Sequence, residues 1–68
     1  MNSDRPNRLQ KRLYSVEDAA IYLGRTAHAI RSLCYSGRLR VVKIDGRVFL
    51  DVNDMDMLIE NSKISYDY

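Results

Sequence analysis

Cationic side chains are concentrated in the middle of this chain. Residues 25–47 hold six of them against a single carboxylate at Asp45, a net charge of +5: Arg25, Arg31, Arg38, Arg40, Lys43 and Arg47. Such a density of guanidinium and ammonium groups is typical of a surface that binds a polyanion. Ordinary solubilising charge is the alternative interpretation of the same residues.

Charge is strongly polarised along the sequence. Residues 1–14 carry +3, residues 15–24 carry −2 and residues 48–68 carry −4, which together with the basic middle give the chain its net charge of +2. The small total therefore hides a basic arm, a basic middle and an acidic end. The acidic end would be repelled by a polyanion, so we expect it to face away from one or to contact a partner protein.

A first helix is predicted after Ser15. The run S-V-E-D is a capping box, with Ser15 at the N-cap and Asp18 three residues later. Gly24 predicts the end of this helix, since a left-handed residue is usual there. One apolar stripe repeats at helical spacing between them: Val16, Ala19, Ala20 and Leu23.

A second helix follows almost immediately. Thr26 is a suitable N-cap, and the helix is expected to run over residues 27–35 and to stop at Ser36-Gly37. So short a connection forces the two helices to cross at a large angle, as in a helix-turn-helix. Apolar Ile30, Leu33 and Cys34 lie on one side of this helix, and the other side presents four polar residues: His28, Arg31, Ser32 and Tyr35.

A β-hairpin is predicted around Asp45-Gly46, because two β-branched or aromatic runs flank that dipeptide. A two-residue loop would pair Ile44 with Arg47 and place Val42, Ile44 and Phe49 on one face. A three-residue loop that includes Arg47 would gather Val42, Ile44, Val48 and Leu50 instead. The second arrangement groups more apolar side chains and is the one we expect. Lys43 and Arg47 stand near the tip in both.

A third, short helix is predicted after Asp51, with Met55, Leu58 and Ile59 closing the core. These elements imply three parts: a flexible basic N-terminal arm at 1–13, a folded domain at 14–60 and a C-terminal tail at 61–68. At 68 residues the core is expected to be marginal.

Composition argues against several functional classes. A single cysteine, Cys34, excludes an internal disulfide and indicates a small core residue in a cytoplasmic chain, and with a single histidine it cannot form the usual zinc site. No run of 18 apolar residues is present, and the first fifteen residues lack the apolar core of a secretory signal. No nucleophile–base pair suggests itself. We therefore expect no enzyme activity, no cofactor, no metal, no small-molecule effector and no membrane contact.

The run from Tyr14 to Ile59 resembles the excisionase and MerR-type DNA-binding domains. The matching pieces are Y-S-V-E-D-A-A-I-Y-L-G, R-T-A-H-A-I-R-S-L, S-G-R-L-R-V-V-K-I-D-G-R-V-F-L and V-N-D-M-D-M-L-I. The resemblance implies a small α+β fold of the winged helix-turn-helix type. The chain departs from the family pattern in two places: at Ala27, where members often carry a polar residue, and at Val48-Phe49, where an aromatic and then a basic residue are common.

The resemblance implies binding of double-stranded DNA, with the second helix as the recognition helix. Arg31 could pair with guanine or contact a phosphate, and Thr26 at the helix N-terminus could contact a phosphate or serve only as a cap. Lys43 and Arg47 would grip the backbone. The candidate DNA-binding residues are Arg25, Thr26, Ala27, His28, Arg31, Ser32, Tyr35, Arg38, Arg40, Lys43 and Arg47.

Three roles remain open from the sequence. The first is an excisionase, a recombination directionality factor that bends attachment-site DNA beside an integrase, bound cooperatively with further copies of itself and located on the nucleoid. The second is a small MerR-like transcriptional regulator without an effector domain. The third, from another class, is a protein-interaction module whose basic surface meets an acidic protein.

Overall fold

The computed structural model describes residues 11–66, which form three helices and a three-stranded antiparallel sheet, and so confirms the α+β class. The sheet order is β1-β3-β2. No helix in this stretch has the length and apolar character needed to cross a bilayer. The elements are β1 Leu13–Tyr14, α1 Val16–Leu23, α2 Ala27–Tyr35, β2 Val42–Ile44, β3 Arg47–Asp51 and α3 Val52–Ser62.

The connection between α1 and α2 is the predicted three-residue turn. Gly24 has φ +67°, and its N–H donates to the Ile21 carbonyl while the Arg25 N–H donates to the Ala20 carbonyl. This pair of bonds is a Schellman motif, which needs a left-handed residue and therefore favours glycine. Thr26 then caps α2, its Oγ1 accepting from the Ala29 N–H at 3.1 Å.

The core lies where α1, α2, β3 and α3 meet. Its buried residues are Ala19, Ala20, Ile30, Leu39, Leu50 and Met55. The prediction for α3 is right for Met55, which is fully buried, and for Leu58, which is half-buried against the core. It is wrong for Ile59, which is 38% exposed at the edge, and the helix extends to Ser62, beyond the expected end at residue 60.

The hairpin between β2 and β3 has a two-residue loop, so the expected three-residue loop is wrong. Ile44 pairs with Arg47 and Val42 with Phe49, and Asp45 and Gly46 both have positive φ, as a type I′ turn requires. Grouping Ile44 with Val48 would have brought little burial, since both lie near the tip and are more than 40% exposed. Turn chemistry therefore decides the register.

A short strand, β1, precedes α1 and was not predicted. Leu13 pairs with Asp51 and Tyr14 with Leu50, and the Arg12 carbonyl accepts from the Val52 N–H. Arg12 donates from its guanidinium to both carboxylate oxygens of Asp51, at 3.1 and 2.8 Å. The expected arm boundary after residue 13 therefore falls inside this strand. Of the arm predicted to be flexible at 1–13, residues 1–10 lie outside the described residues.

The Asp51 carboxylate links Arg12, at the start of β1, to the start of α3, because it accepts hydrogen bonds from both. Its Oδ1 also accepts from the Asn53 N–H at 3.0 Å, which caps α3. The Arg12 hydrogen bond and, next, the Asn53 N–H hold the pKa of Asp51 below its usual 3.8. In the same way, Lys11 holds the pKa of Asp18 low at the start of α1.

Truncation of Met55 tests the core. Met55→Ala removes a fully buried side chain and is expected to lower the free energy of unfolding by about 2–5 kcal/mol, because the cavity cannot collapse completely. The measurement is urea denaturation followed by circular dichroism. Met57→Ala, at a position 63% exposed on the same helix, is the matched control and should change stability by no more than about 0.5 kcal/mol. Equal losses in the two variants would contradict this core.

Acidification tests the Asp51 contacts. A carboxyl group whose pKa is lowered by folding stabilises the folded state above its unfolded pKa, and that stabilisation is lost as the pH falls through the folded value. We therefore expect the urea midpoint to drop below about pH 4 and Asp51→Asn to make the drop shallower. Asp45→Asn is the control, since within residues 11–66 its carboxylate forms no ion pair. An unchanged acid dependence in Asp51→Asn would refute the role of this pair.

Candidate nucleic-acid interface

The outward side of α2 is open to solvent as the helical periodicity predicts. Ile30 is fully buried, and Leu33 and Cys34 are half-buried. The opposite side presents exposed polar side chains: His28, Arg31, Ser32 and Tyr35. Tyr35 is 86% exposed, so its ring and hydroxyl are both accessible. α2 packs mainly against α1, and α3 does not cover its polar side.

An apolar groove separates α2 from the hairpin. It has a volume of about 470 Å³ and is lined by Val16, Arg31, Cys34, Tyr35, Val41 and Val48. Arg31 supplies the charge, and the valines supply an apolar wall. Burial raises the pKa of the Cys34 thiol, so the cysteine stays protonated and packs as a small apolar residue.

The two cations at the hairpin tip stand on opposite faces of the hairpin. Lys43 lies directly across from Val48, and directly opposed residues of an antiparallel pair share a face. Lys43 is therefore on the side of the groove, whereas Arg47 lies across from Ile44 on the other side. Both side chains are exposed, and neither has an ion-pair partner among residues 11–66.

Arg31 is restrained only loosely. Its guanidinium lies 3.4 Å from a Glu17 carboxylate oxygen on α1, with the two side chains 49% and 70% exposed. An exposed pair at this distance contributes little stability, so an incoming anion can replace the glutamate. Sequence reasoning missed Glu17, because 14 positions and two different helices separate the partners and no periodic pattern links them.

Three of the predicted DNA-binding cations lie on a different part of the surface. The Arg40 guanidinium donates to Asp54 of α3 at 2.8 Å, which raises the pKa of the arginine. Arg25 and Arg38 line a depression together with Leu33 and residues of α3. Leu33 lies roughly 160° around α2 from both Arg31 and Tyr35. The cations of residues 25–47 therefore do not share one side of the molecule, although their density in the sequence predicted a single polyanion-binding surface.

The start of α2 has the N-cap that the sequence predicts. Thr26 is exposed and accepts the capping bond from the Ala29 N–H, and within residues 11–66 its hydroxyl donates no hydrogen bond. Ala27 is half-buried and has no polar side-chain atom. Among the described residues no cluster of His, Cys, Asp and Glu is arranged to hold a metal ion.

The carboxylates of α3 are engaged within the fold. Asp54 pairs with Arg40, and Asp56 accepts from the Tyr22 hydroxyl at 2.5 Å, which raises the pKa of that phenol. The Tyr22 ring also lies 5.3 Å from the Tyr14 ring, centroid to centroid. Arg40 therefore offsets the charge of Asp54, whereas Asp56 keeps its charge and gains a hydrogen bond.

Comparison of the chain with protein-family models, with curated proteins and with solved structures found no match.

Proposed function

We propose that this protein binds double-stranded DNA in the manner of a winged helix-turn-helix, with α2 in the major groove and the β2–β3 hairpin as the wing. One observation carries the proposal. The polar side of α2 is solvent-exposed and adjoins a hairpin whose tip cations have no ion-pair partner within residues 11–66. Both elements border one groove.

The dimensions of α2 suit the major groove. This groove is about 12 Å wide and admits a helix. A helix of nine residues is roughly 14 Å long, enough to follow a few base pairs. His28, Arg31 and Tyr35 are spaced by three and four residues, so they form one stripe along the exposed side. Within that stripe, Arg31 is suited to a bidentate contact with guanine.

The hairpin is suited to gripping the backbone beside that groove. Lys43 on the inner face and Arg47 on the outer face place one cation on each side of the tip. A DNA strand that passes along the apolar groove between α2 and the hairpin would bring a phosphate to Lys43. Arg47, on the other face, would then lie at the adjacent minor groove of the DNA. The valine wall and the Tyr35 ring would contact deoxyribose or a thymine methyl group.

An excisionase-type role fits these contacts best. The motifs from Tyr14 to Ile59 resemble excisionase domains, and the described residues form a single small module. One module buries too little surface for high specificity on its own. We therefore propose that several copies bind cooperatively to repeated sites, or that one copy binds beside an integrase, so that the DNA is bent for excision of a mobile element.

The direct test is a fluorescence titration of a labelled duplex at several salt concentrations, followed by mapping of protected base pairs. Neutralisation of several phosphates should make the affinity fall steeply with salt. Protection should extend over repeated short sites in the DNA next to the gene. Absence of duplex binding at low salt would overturn the proposal.

Two arginine variants separate base recognition from backbone binding. Arg31→Ala should weaken binding to the specific site by about 1–3 kcal/mol and change non-specific binding far less, because a base contact is lost. Arg47→Ala should weaken specific and non-specific binding alike. It should also reduce the slope of log affinity against log salt concentration by about one, because one phosphate contact is lost. The measurement is a pair of titrations with the mapped site and a scrambled duplex. If Arg31→Ala weakens binding to the mapped site and to the scrambled duplex equally, Arg31 contacts a phosphate and not a base.

Glu17 should limit the availability of Arg31. We expect Glu17→Gln to raise duplex affinity several-fold, since it releases the guanidinium and removes a negative charge beside the DNA. In an Arg31→Ala background the same change should have a smaller effect, which a double-mutant cycle measures. Glu60→Gln is the control, because that carboxylate pairs with Lys63 on α3. If Glu17→Gln and Glu60→Gln raise duplex affinity equally, the change in net charge explains the gain and the release of Arg31 does not.

A further inference from the structure

A second binding surface lies between the end of α2 and α3. Two neighbouring depressions of about 330 and 300 Å³ share Arg38 and Leu58. We call the larger of the two the Arg38 surface, defined by five residues: Arg25, Leu33, Arg38, Leu58 and Ile59. The role proposed for the polar side of α2 and the hairpin tip does not use it.

The Arg38 surface combines apolar side chains with available cations. Ile59 is 38% exposed, and Leu33 and Leu58 in the same depression are half-buried. Within residues 11–66, Arg25 and Arg38 have no ion-pair partner. Partly exposed apolar side chains beside arginine are typical of surfaces where proteins bind one another.

Charge complementarity indicates what would bind here. Arg25 and Arg38 line the depression together with these apolar side chains and are suited to bidentate contacts with carboxylates. The apolar part of the lining is suited to leucine-like side chains. A single segment supplies both when it is an amphipathic helix whose apolar stripe is flanked by Asp or Glu.

A protein fits this surface better than DNA does. Asp54 pairs with Arg40 and lines the neighbouring depression, which shares Arg38, so a phosphate chain lying across Arg38 would meet a carboxylate there. DNA would also gain little from covering Leu58 and Ile59. Since Leu33 of the Arg38 surface lies on the opposite side of α2 from Arg31, the surface stays open while the polar side of α2 is occupied.

We infer that the Arg38 surface docks an acidic amphipathic helix of a partner protein. This interaction does not depend on the proposed DNA binding and leaves it undisturbed. It gives the protein a way to recruit a second protein to the place where it is bound.

The experiment selects peptides on the full chain and then locates their binding site. Displayed random 16-residue peptides are enriched on the immobilised protein, and recovered sequences are synthesised and titrated by fluorescence anisotropy. We expect a consensus rich in Asp or Glu with apolar residues at helical spacing. A basic consensus, an uncharged one or no consensus would overturn the inference.

Charge reversal and truncation then assign the site. Arg38→Glu should lower peptide affinity at least tenfold, and the milder Ile59→Ser should lower it several-fold. Arg47→Glu at the hairpin tip is the matched control and should leave peptide affinity unchanged. Circular dichroism melts check that each variant folds. Unchanged peptide binding in both Arg38→Glu and Ile59→Ser would overturn the proposed location.

Duplex titrations of the same variants distinguish this inference from the proposed function. Arg38→Glu should weaken duplex binding much less than Arg47→Glu does. If Arg38→Glu weakens it as strongly, the surface is a phosphate contact and the inference fails. If neither the wild-type protein nor any variant binds duplex while the peptides bind at the Arg38 surface, the inference holds and the proposed DNA binding fails.

Discussion

The burial of Ile30 determines which side of α2 faces solvent. The turn at Gly24 makes this burial possible, because it brings α2 back against α1. Ile30 is fully buried, and the Schellman bonds from Gly24 and Arg25 hold the turn that brings α2 back across α1. Once that side is packed, the helical period places Arg31 and Tyr35 outside. The part of the proposed interface that α2 forms depends on this orientation, because turning α2 by about half a turn would bury its polar side chains at a high desolvation cost.

The second constraint is the hairpin turn, which determines on which face of the hairpin each of the two tip cations lies. A two-residue loop at Asp45-Gly46 puts Lys43 and Arg47 on opposite faces of the hairpin. A three-residue loop would have altered that relation, since a shift of one residue moves side chains to the other face. The left-handed conformations of the two turn residues thus determine which cation faces the α2 groove.

Tertiary packing divides the basic middle of the chain into two surfaces. The proposed DNA contacts lie around α2 and the hairpin tip, whereas Arg25, Arg38 and Arg40 turn towards α3. The acids of α3 take part in this division, since Asp54 holds Arg40. Segment charge alone predicted one polyanion-binding surface, whereas the structure places Arg25 and Arg38 in a depression beside α3 and Lys43 and Arg47 at the hairpin tip.

The sequence by itself determined the local features: the caps at Ser15 and Thr26, the end of α1 at Gly24, the polar side of α2 and the existence of the hairpin. Each depends on residues within about one helical turn or one strand pair. The tertiary structure alone decided the pairing of β1 with β3, the Glu17–Arg31 and Arg40–Asp54 contacts and the exposure of Ile59. These depend on which distant surfaces meet, and neither periodicity nor capping chemistry carries that information.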